Sequence, residues 1–167
     1  MEHLWSPWRM QYLRGQDIPA TAPLGGRACI FCALPREDRD SENLIVRRGE
    51  LAFVILNLYP YNNGHLMVVP YRHTPSLEQL DVPILTELMV LTTRALTALR
   101  AVYNPQAFNF GANIGAAAGA GIADHVHLHV VPRWAGDTNY MTTVAETRVI
   151  PEQLGDTYRA LQQAWPK

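Results

Sequence analysis

The stretch Asp124-His125-Val126-His127-Leu128-His129-Val130-Val131-Pro132 places three histidines in strict alternation with apolar residues and closes with a proline. A period of two is typical of a β-strand, in which successive side chains point to opposite faces of a sheet. We therefore expect a strand over residues 125–133 with all three histidines on one face. The opposite face, packed on the core, would carry Val126, Leu128 and Val130.

Three adjacent imidazoles are unfavourable in an apolar core, because each ring has a donor and an acceptor that need hydrogen-bond partners. One alternative is a polar, solvated face of an edge strand. However, three of the six histidines in the chain fall in this register. Histidine in such a setting is chiefly a nucleophile, a proton carrier or a metal ligand. The motif therefore favours a functional site over a solvated face.

Length and composition limit the class of protein. The chain has 167 residues, of which 48% are hydrophobic, and a net charge of −1. This length supports one domain with a real core, and the near-neutral charge gives no reason to expect a nucleic-acid partner. No apolar run approaches the ~18 residues of a membrane span, and residues 1–14 resemble neither a signal peptide nor a transit peptide. We expect a cytoplasmic protein with no membrane partner.

Local patterns predict an α+β domain with a mainly antiparallel five-stranded sheet. A long helix should begin at Asp81, a good cap, with Pro83 in its first turn, and end at Asn104. Residues 1–28 would form an N-terminal extension of the single domain 1–167, and residues 134–167 a C-terminal tail. Within this frame we place strands at 44–47, 51–56, 65–70, 107–114 and 125–133, a short helix after Ser6-Pro7, a loop at 16–27 and a last helix at 152–164.

The loop before the histidines is rich in small residues, with Gly115, Gly119 and Gly121 separated mostly by alanines. Glycine lets the backbone approach a ligand closely and tolerates positive φ. Successive backbone N–H groups in such a loop can form a nest for an anion. A flexible turn with no ligand is the alternative, because glycine-rich loops alone are weak signals. Directly before three histidines, a phosphate-binding loop is the better interpretation.

A phosphate loop beside a histidine strand suggests nucleophilic attack on phosphorus. A neutral imidazole attacks through one nitrogen, so the other nitrogen must hold the proton and be oriented by an acceptor. A backbone carbonyl of a strand neighbour can be that acceptor. His127 has a histidine on each side, and we choose it as the nucleophile. His129 would then donate to the phosphate oxygens.

Cys29 and Cys32 are the only cysteines and have the spacing C-x-x-C. A tetrahedral zinc site needs four ligands, of which this pair would supply two. His73, at the end of a predicted strand, and His125 are candidates for the other two. A reduced, buried pair without metal is the alternative. A redox role fits less well, because the pair does not follow a strand in a βαβ context.

Asn57 and His65 flank a loop between two predicted strands. The Asn57 side chain could bind ribose hydroxyls or could merely stabilise the loop by an Asx-turn. His65 could support the three histidines or be a satisfied surface residue. The sequence does not choose between these interpretations.

Several segments together resemble one family. His125–Val131 is similar to the signature of the histidine triad superfamily, His-x-His-x-His followed by two apolar residues. Residues 57–70 resemble the ribose-binding strand and loop of that family, and residues 29–32 resemble the zinc-binding start of many bacterial members. The stretches 4–10 and 133–139 are most similar to a bacterial subgroup related to diadenosine tetraphosphate phosphorylases.

This resemblance implies a histidine-triad-like fold and a homodimer whose sheets join across a two-fold axis. It implies a covalent nucleotidyl-histidine on His127, formed at the α-phosphate of a nucleotide substrate such as diadenosine tetraphosphate. Water would then release a nucleoside monophosphate, and inorganic phosphate would release a diphosphate. His129, His125 and His65 would complete the catalytic group.

The resemblance also implies binding roles. Asn57 would hold ribose, Ile30 and Phe31 would pack on the base, and the remaining nucleotide contacts would come from Asn113, His129, Gly119 and Gly121. Many family members carry a hydroxyl or amide side chain just before the triad, whereas residues 119–123 here are Gly-Ala-Gly-Ile-Ala and leave only backbone N–H groups as donors. The zinc ligands implied are Cys29, Cys32, His73 and His125.

Other functions use the same residues. A nucleoside phosphoramidate hydrolase would differ only in its leaving group. A regulatory protein would bind a nucleotide with little turnover. A purely metal-stabilised structural module would keep its fold without using His127 at all.

Overall fold

The computed structural model describes residues 29–137 and 152–166. The helix expected after Ser6-Pro7 and the loop expected at 16–27 lie outside these residues. The described part is α+β, as predicted, with five antiparallel strands in the order β1-β2-β3-β5-β4. In chain order the elements are α1 (Ile30–Ala33), β1 (Ile45–Arg48), β2 (Ala52–Leu56), β3 (Leu66–Pro70), α2 (Val82–Tyr103), β4 (Ala107–Gly111), β5 (Leu128–Arg133) and α3 (Leu154–Gln163).

The sheet separates two apolar layers. Strands β2 and β3 lie at its centre, and every residue in them is buried. On one face α2 packs across the sheet, and the alternating Val126, Leu128 and Val130 join this core as predicted. On the other face lies a smaller cluster that borders the histidines, and its buried members are Phe31, Ile45, Phe53, Ile55, Met67 and Val69.

Helix α2 follows the signals that predicted it. Asp81 occupies the N-cap, a proline lies in the first turn, and Asn104 ends the helix with a left-handed φ of 44°. The Asp81 carboxylate does not cap the backbone, however. It pairs with Arg72 at 2.9 Å, so the cap position is correct and its hydrogen bond differs from the expected one.

By length and composition alone, α2 could cross a membrane. The sequence did not predict this, because it has no uninterrupted apolar run long enough to span a membrane. Threonines and two arginines interrupt the run in α2, although the helix is apolar on average. Seven α2 residues are nevertheless buried, and the helix contacts β2, β3 and β5. This burial is that of a core helix in the described fold.

Strand β5 begins at Leu128, three residues later than predicted, and β4 ends at Gly111 rather than at residue 114. The partner strand β3 explains the first difference, because it ends at Pro70, which has no N–H to continue the ladder. The chain before β5 instead donates from the Val126 N–H to the Thr74 carbonyl at 2.7 Å. Alternation of faces continues through this irregular segment, so residues 125–127 still place their histidines opposite the helix.

Candidate active site

His127 lies just before β5 with 5% of its surface exposed. Its Nδ1 is 2.9 Å from the His125 carbonyl oxygen. A carbonyl can only accept, so Nδ1 carries the hydrogen and the neutral ring has its lone pair on Nε2. Burial lowers the pKa of His127, and the hydrogen bond to the carbonyl opposes this only in part. The ring is therefore a neutral imidazole with a nucleophilic Nε2.

His129 has the opposite tautomer, which a chain of hydrogen bonds determines. The Tyr61 backbone N–H donates to His65 Nδ1 at 3.1 Å, so the hydrogen of His65 lies on Nε2. His65 Nε2 is 2.9 Å from His129 Nδ1 and donates to it. The hydrogen of a neutral His129 is therefore on Nε2. The ring centroids of His127 and His129 are 4.8 Å apart, so a lone pair and an N–H donor are neighbours.

Asn57 belongs to the same chain of contacts. Its Oδ1 accepts from the Tyr59 N–H at 3.0 Å, an Asx-turn contact, which fixes the orientation of the amide. Its Nδ2 then lies 3.3 Å from His65 Nδ1 as a second donor. Both interpretations of Asn57 stay open, since an amide held in this way can also meet a ligand.

Two thiols and two imidazoles converge at the other end of the triad. The ligand atoms of Cys29, Cys32, His73 and His125 all lie within 4.8 Å of one another. His125 Nε2 donates to the Pro70 carbonyl at 2.8 Å, which leaves Nδ1 as the ligand nitrogen. That Nδ1 is 3.3 Å from Cys29 Sγ and 3.3 Å from His73 Nδ1. Bond lengths of zinc to nitrogen and sulfur give tetrahedral edges of ~3.3–3.8 Å, so the group fits such an ion.

The cysteines reach this cluster through a local turn. Helix α1 begins directly after Cys29, whose carbonyl accepts from the Cys32 and Ala33 N–H groups, both at 3.0 Å. This single turn brings the two thiols into one cluster. His73 follows the end of β3, so the cluster joins three separate segments.

The small-residue loop contains a 3-10 turn, Ala116–Ala118, between two glycines in the left-handed region, Gly115 at φ 83° and Gly119 at φ 86°. Three of its N–H groups, those of Ala118, Gly119 and Ala120, donate to carbonyls within the loop. These three groups therefore do not point together at an anion in this conformation. This differs from the expected nest, because the turn closes on itself.

A cleft of about 360 Å³ opens beside His129. Asn113, which the resemblance predicts to contact a nucleotide, is one of the residues that line it. The Arg133 guanidinium lies at its far end and binds Asp137 through Nε at 2.6 Å and Nη2 at 2.7 Å. The pKa of Asp137 falls to about 2, first because of Arg133, then through the Trp134 N–H and the Asn62 amide. The opposite charges of Arg133 and Asp137 therefore neutralise each other at this end of the cleft.

Comparison with known proteins identifies the family. A family model described as the HIT domain matches residues 38–136. The chain belongs to the histidine triad (HIT) family. It is 43% identical over 168 residues to a protein of Mycobacterium tuberculosis named AP-4-A phosphorylase, a match that covers all of this chain and 86% of that protein. The family predicted from the triad is confirmed, and so is the likeness to bacterial phosphorylases.

Solved structures confirm the HIT-like fold. A zinc-bound histidine triad family protein from Mycobacterium smegmatis is similar with a TM-score of 0.66 and 28% identity, covering 82% of this chain and 92% of the other. A histidine triad nucleotide-binding protein from Sulfolobus tokodaii has a TM-score of 0.63 and 27% identity, covering 81% and 88%.

Phe31 is placed differently from the expectation for this HIT protein. It is 2% exposed, and its ring lies 5.0 Å from the His127 ring and 5.5 Å from that of His125. The described conformation leaves little of its ring exposed, and the ring packs against His127 and His125 instead. Ile30 is half-buried at the edge of the same cluster. Gly121 and Gly119 do not line the cleft.

Sequence reasoning missed most of the cleft. Its residues come from the loop before β3, from β4 and from the end of β5, and only the register Asn109↔Val131 and Gly111↔His129 brings them together. The one available signal was the spacing of Arg133 and Asp137, an opposite-charge pair four residues apart in a turn. The overlooked cleft residues with polar side chains are Tyr61, Asn62, Asn109, Arg133 and Asp137.

Proposed function

We propose that this HIT protein cleaves a dinucleoside polyphosphate, such as diadenosine tetraphosphate, at the α-phosphate through a covalent nucleotidyl-His127. One observation carries the proposal. His127 offers an Nε2 lone pair, and the ring beside it, His129, carries its hydrogen on Nε2. A nucleophile next to a donor is what displacement at phosphorus needs. The phosphorylase of Mycobacterium tuberculosis that matches the whole chain supports the choice of substrate.

The reaction has two displacements. His127 Nε2 attacks the α-phosphorus, and the bond from phosphorus to the bridging oxygen breaks with its electron pair on the departing nucleotide. The ring keeps its Nδ1 hydrogen and becomes positive, and the His125 carbonyl stabilises that charge. The N–H of His129 donates to the oxygen that gains negative charge. Inorganic phosphate or water then attacks the same phosphorus and restores neutral His127.

Zinc is our proposal for the metal. Two thiolates and two imidazoles are a typical closed set for structural zinc, with no position left for substrate. The ion would link α1, the end of β3 and the segment before β5. His125 would then serve catalysis through its carbonyl, because both of its ring nitrogens are engaged. The neighbour from Mycobacterium smegmatis is described as zinc-bound, which supports this metal.

A homodimer is also proposed. Strand β4 is terminal in the sheet, and four of its five residues are exposed, including Phe110 at 47%. A second copy pairing along this edge would extend the sheet and cover the exposed ring. The single-domain organisation of 1–167, the cytoplasmic location and the lack of membrane or nucleic-acid partners remain predictions.

A second candidate is a nucleotide-binding regulatory protein with little turnover. The observation that favours it is the loop before the triad, in which three N–H groups are already used internally. A nucleoside phosphoramidate hydrolase would use the same His127 and differ only in its leaving group.

Product analysis tests the proposal. With diadenosine tetraphosphate and phosphate we expect ADP and ATP, and with water alone AMP and ATP. Acid quenching during turnover should trap a nucleotide on the protein. His127→Ala should abolish both signals, with a loss of at least ~10⁴-fold in rate, while Thr93→Ala on the exposed face of α2 should change neither. Full activity of His127→Ala would refute the nucleophile, and tight nucleotide binding without products would favour the regulatory candidate.

A further inference from the structure

The cleft beside His129 lies outside the machinery that attacks phosphorus. It continues from His129 along β4 and β5 to Arg133, four residues and ~13 Å further on. Its floor is formed by Gly111 and Val131, on the same face of the sheet as the histidines. His127 does not line it, and the metal cluster lies beyond His127 on the other side. The attack of His127 on the α-phosphorus does not use this space.

The chemistry of the cleft suits a neutral, hydrogen-bonding ring system rather than a phosphate chain. Among the described residues, the charged side chains that line it are those of Arg133 and Asp137, which neutralise each other. The other polar side chains of its described lining are the His129 imidazole, one phenol and three amides, and the amides belong to Asn62, Asn109 and Asn113. A volume of about 360 Å³ is also in the range of small-ligand pockets.

Two of these amides are held in a defined orientation. Asn62 donates through Nδ2 to the Pro132 carbonyl at 3.1 Å and to Asp137 at 2.8 Å, so its Oδ1 is the atom that can accept. Asn109 accepts from Arg133 Nη1 at 2.7 Å through Oδ1, so its Nδ2 is the atom that can donate. The cleft therefore has one fixed acceptor and one fixed donor. Adenine presents the matching pair, an amino group beside a ring nitrogen.

We propose that this cleft binds the nucleoside of the departing nucleotide, the half of the substrate that does not become attached to His127. The proposal rests on the proposed function and extends it to the second half of the substrate. The leaving oxygen forms beside His129, the residue that the cleft shares with the triad. A flexible polyphosphate chain that continues along β5 brings its terminal nucleoside over Gly111 and Asn109. The cleft thus distinguishes a dinucleotide from a mononucleotide with the same phosphate chain.

Binding without turnover tests the cleft separately from the chemistry. In His127→Ala protein, the dissociation constants of diadenosine tetraphosphate and adenosine 5′-tetraphosphate are compared by calorimetry. We expect the dinucleotide to bind about tenfold more tightly, the factor expected of one or two good hydrogen bonds. Adding Asn109→Val or Gly111→Val should abolish this preference and leave the mononucleotide unchanged. A Cβ at Gly111 meets no described atom within 4 Å, so the backbone has room for a side chain at this position.

The matched control is Ala107→Val, on the same strand and face but outside the cleft, which should keep the preference. Equal affinities for the two nucleotides in His127→Ala would overturn the proposal. An equal loss of affinity for both nucleotides in Asn109→Val or Gly111→Val would also overturn it. Failure of the proposed function would give a different result. The wild-type protein would then trap no nucleotide on His127, whereas the relative affinities for the two nucleotides would stay the same.

Discussion

The two outer histidines of the triad have the same tautomer and different surroundings. His125 and His129 both carry the hydrogen on Nε2 and the lone pair on Nδ1. The lone pair of His125 faces two thiols and His73, whereas that of His129 receives the N–H of His65. One end of the motif is therefore built to hold a cation and the other to present a proton donor. The groups that face Nδ1 of each ring, rather than the motif itself, therefore determine which role each histidine can have.

His127, between them, has the reverse tautomer because its Nδ1 meets a backbone carbonyl. That carbonyl belongs to His125, which also lies in the Cys/His cluster. This end of the motif, which we call the metal end, therefore also orients His127, the proposed nucleophile. At the other end, which we call the relay end, the Tyr61 N–H donates to His65, and His65 donates to His129. The comparison predicts that damage at the metal end affects both stability and rate, whereas damage at the relay end affects chiefly the rate.

Breaking the metal end should produce the largest effect. Cys32→Ala, or prolonged chelation of the unmodified protein, should lower the free energy of unfolding by at least ~3 kcal/mol, because metal binding in such sites is coupled to folding. The rate should fall with it, as the His125 carbonyl loses its anchor. Metal analysis, thermal unfolding and turnover check this. A chelated protein with unchanged melting temperature would contradict a structural metal at this cluster.

The sequence was informative where a local pattern decides the structure. Alternation placed Val126, Leu128 and Val130 in the core and the histidines on the opposite face. The C-x-x-C spacing likewise indicated that Cys29 and Cys32 supply two ligands of one site, and their thiols lie in one cluster. The structure also brings both to the two histidines chosen as partners.

Long-range packing decided what the sequence could not show. The start of β5 depends on where β3 ends, at Pro70, which no pattern within residues 125–133 reveals. The burial of Phe31 depends on β1, β2 and β3 closing over α1. The tautomers depend on single contacts, such as that of the Tyr61 N–H with His65. The cleft depends on strand register, so its residues have no common signal in the chain.

Breaking the relay end should give the next largest effect. His65→Leu removes the donor to His129 Nδ1 while keeping an apolar side chain in a fully buried position. We expect a fall in kcat of about 10–100-fold, the usual cost of losing such a supporting hydrogen bond, with unchanged metal content. His65→Gln retains both a donor and an acceptor and should recover part of the rate. Loss of metal in His65→Leu would show that the two ends are not independent.

The smallest effect should come from the Arg133–Asp137 pair, which lies beyond the relay end and involves neither outer histidine. The pKa of Asp137 is about 2, below its ordinary value of 3.8. A carboxylate with a depressed pKa stabilises the fold fully above its unfolded pKa and loses that contribution as pH falls toward its folded value. The difference in melting temperature between the wild type and Asp137→Asn should therefore be constant above about pH 5 and shrink between roughly pH 4 and pH 2.

Asp81→Asn is the control, because it removes a pair with Arg72 in which both side chains are at least half exposed, and exposed pairs contribute little. A difference that instead changed between about pH 6 and 7, where histidines titrate, would mean that the pair is coupled to the triad and that the relay end extends further along β5 than His129.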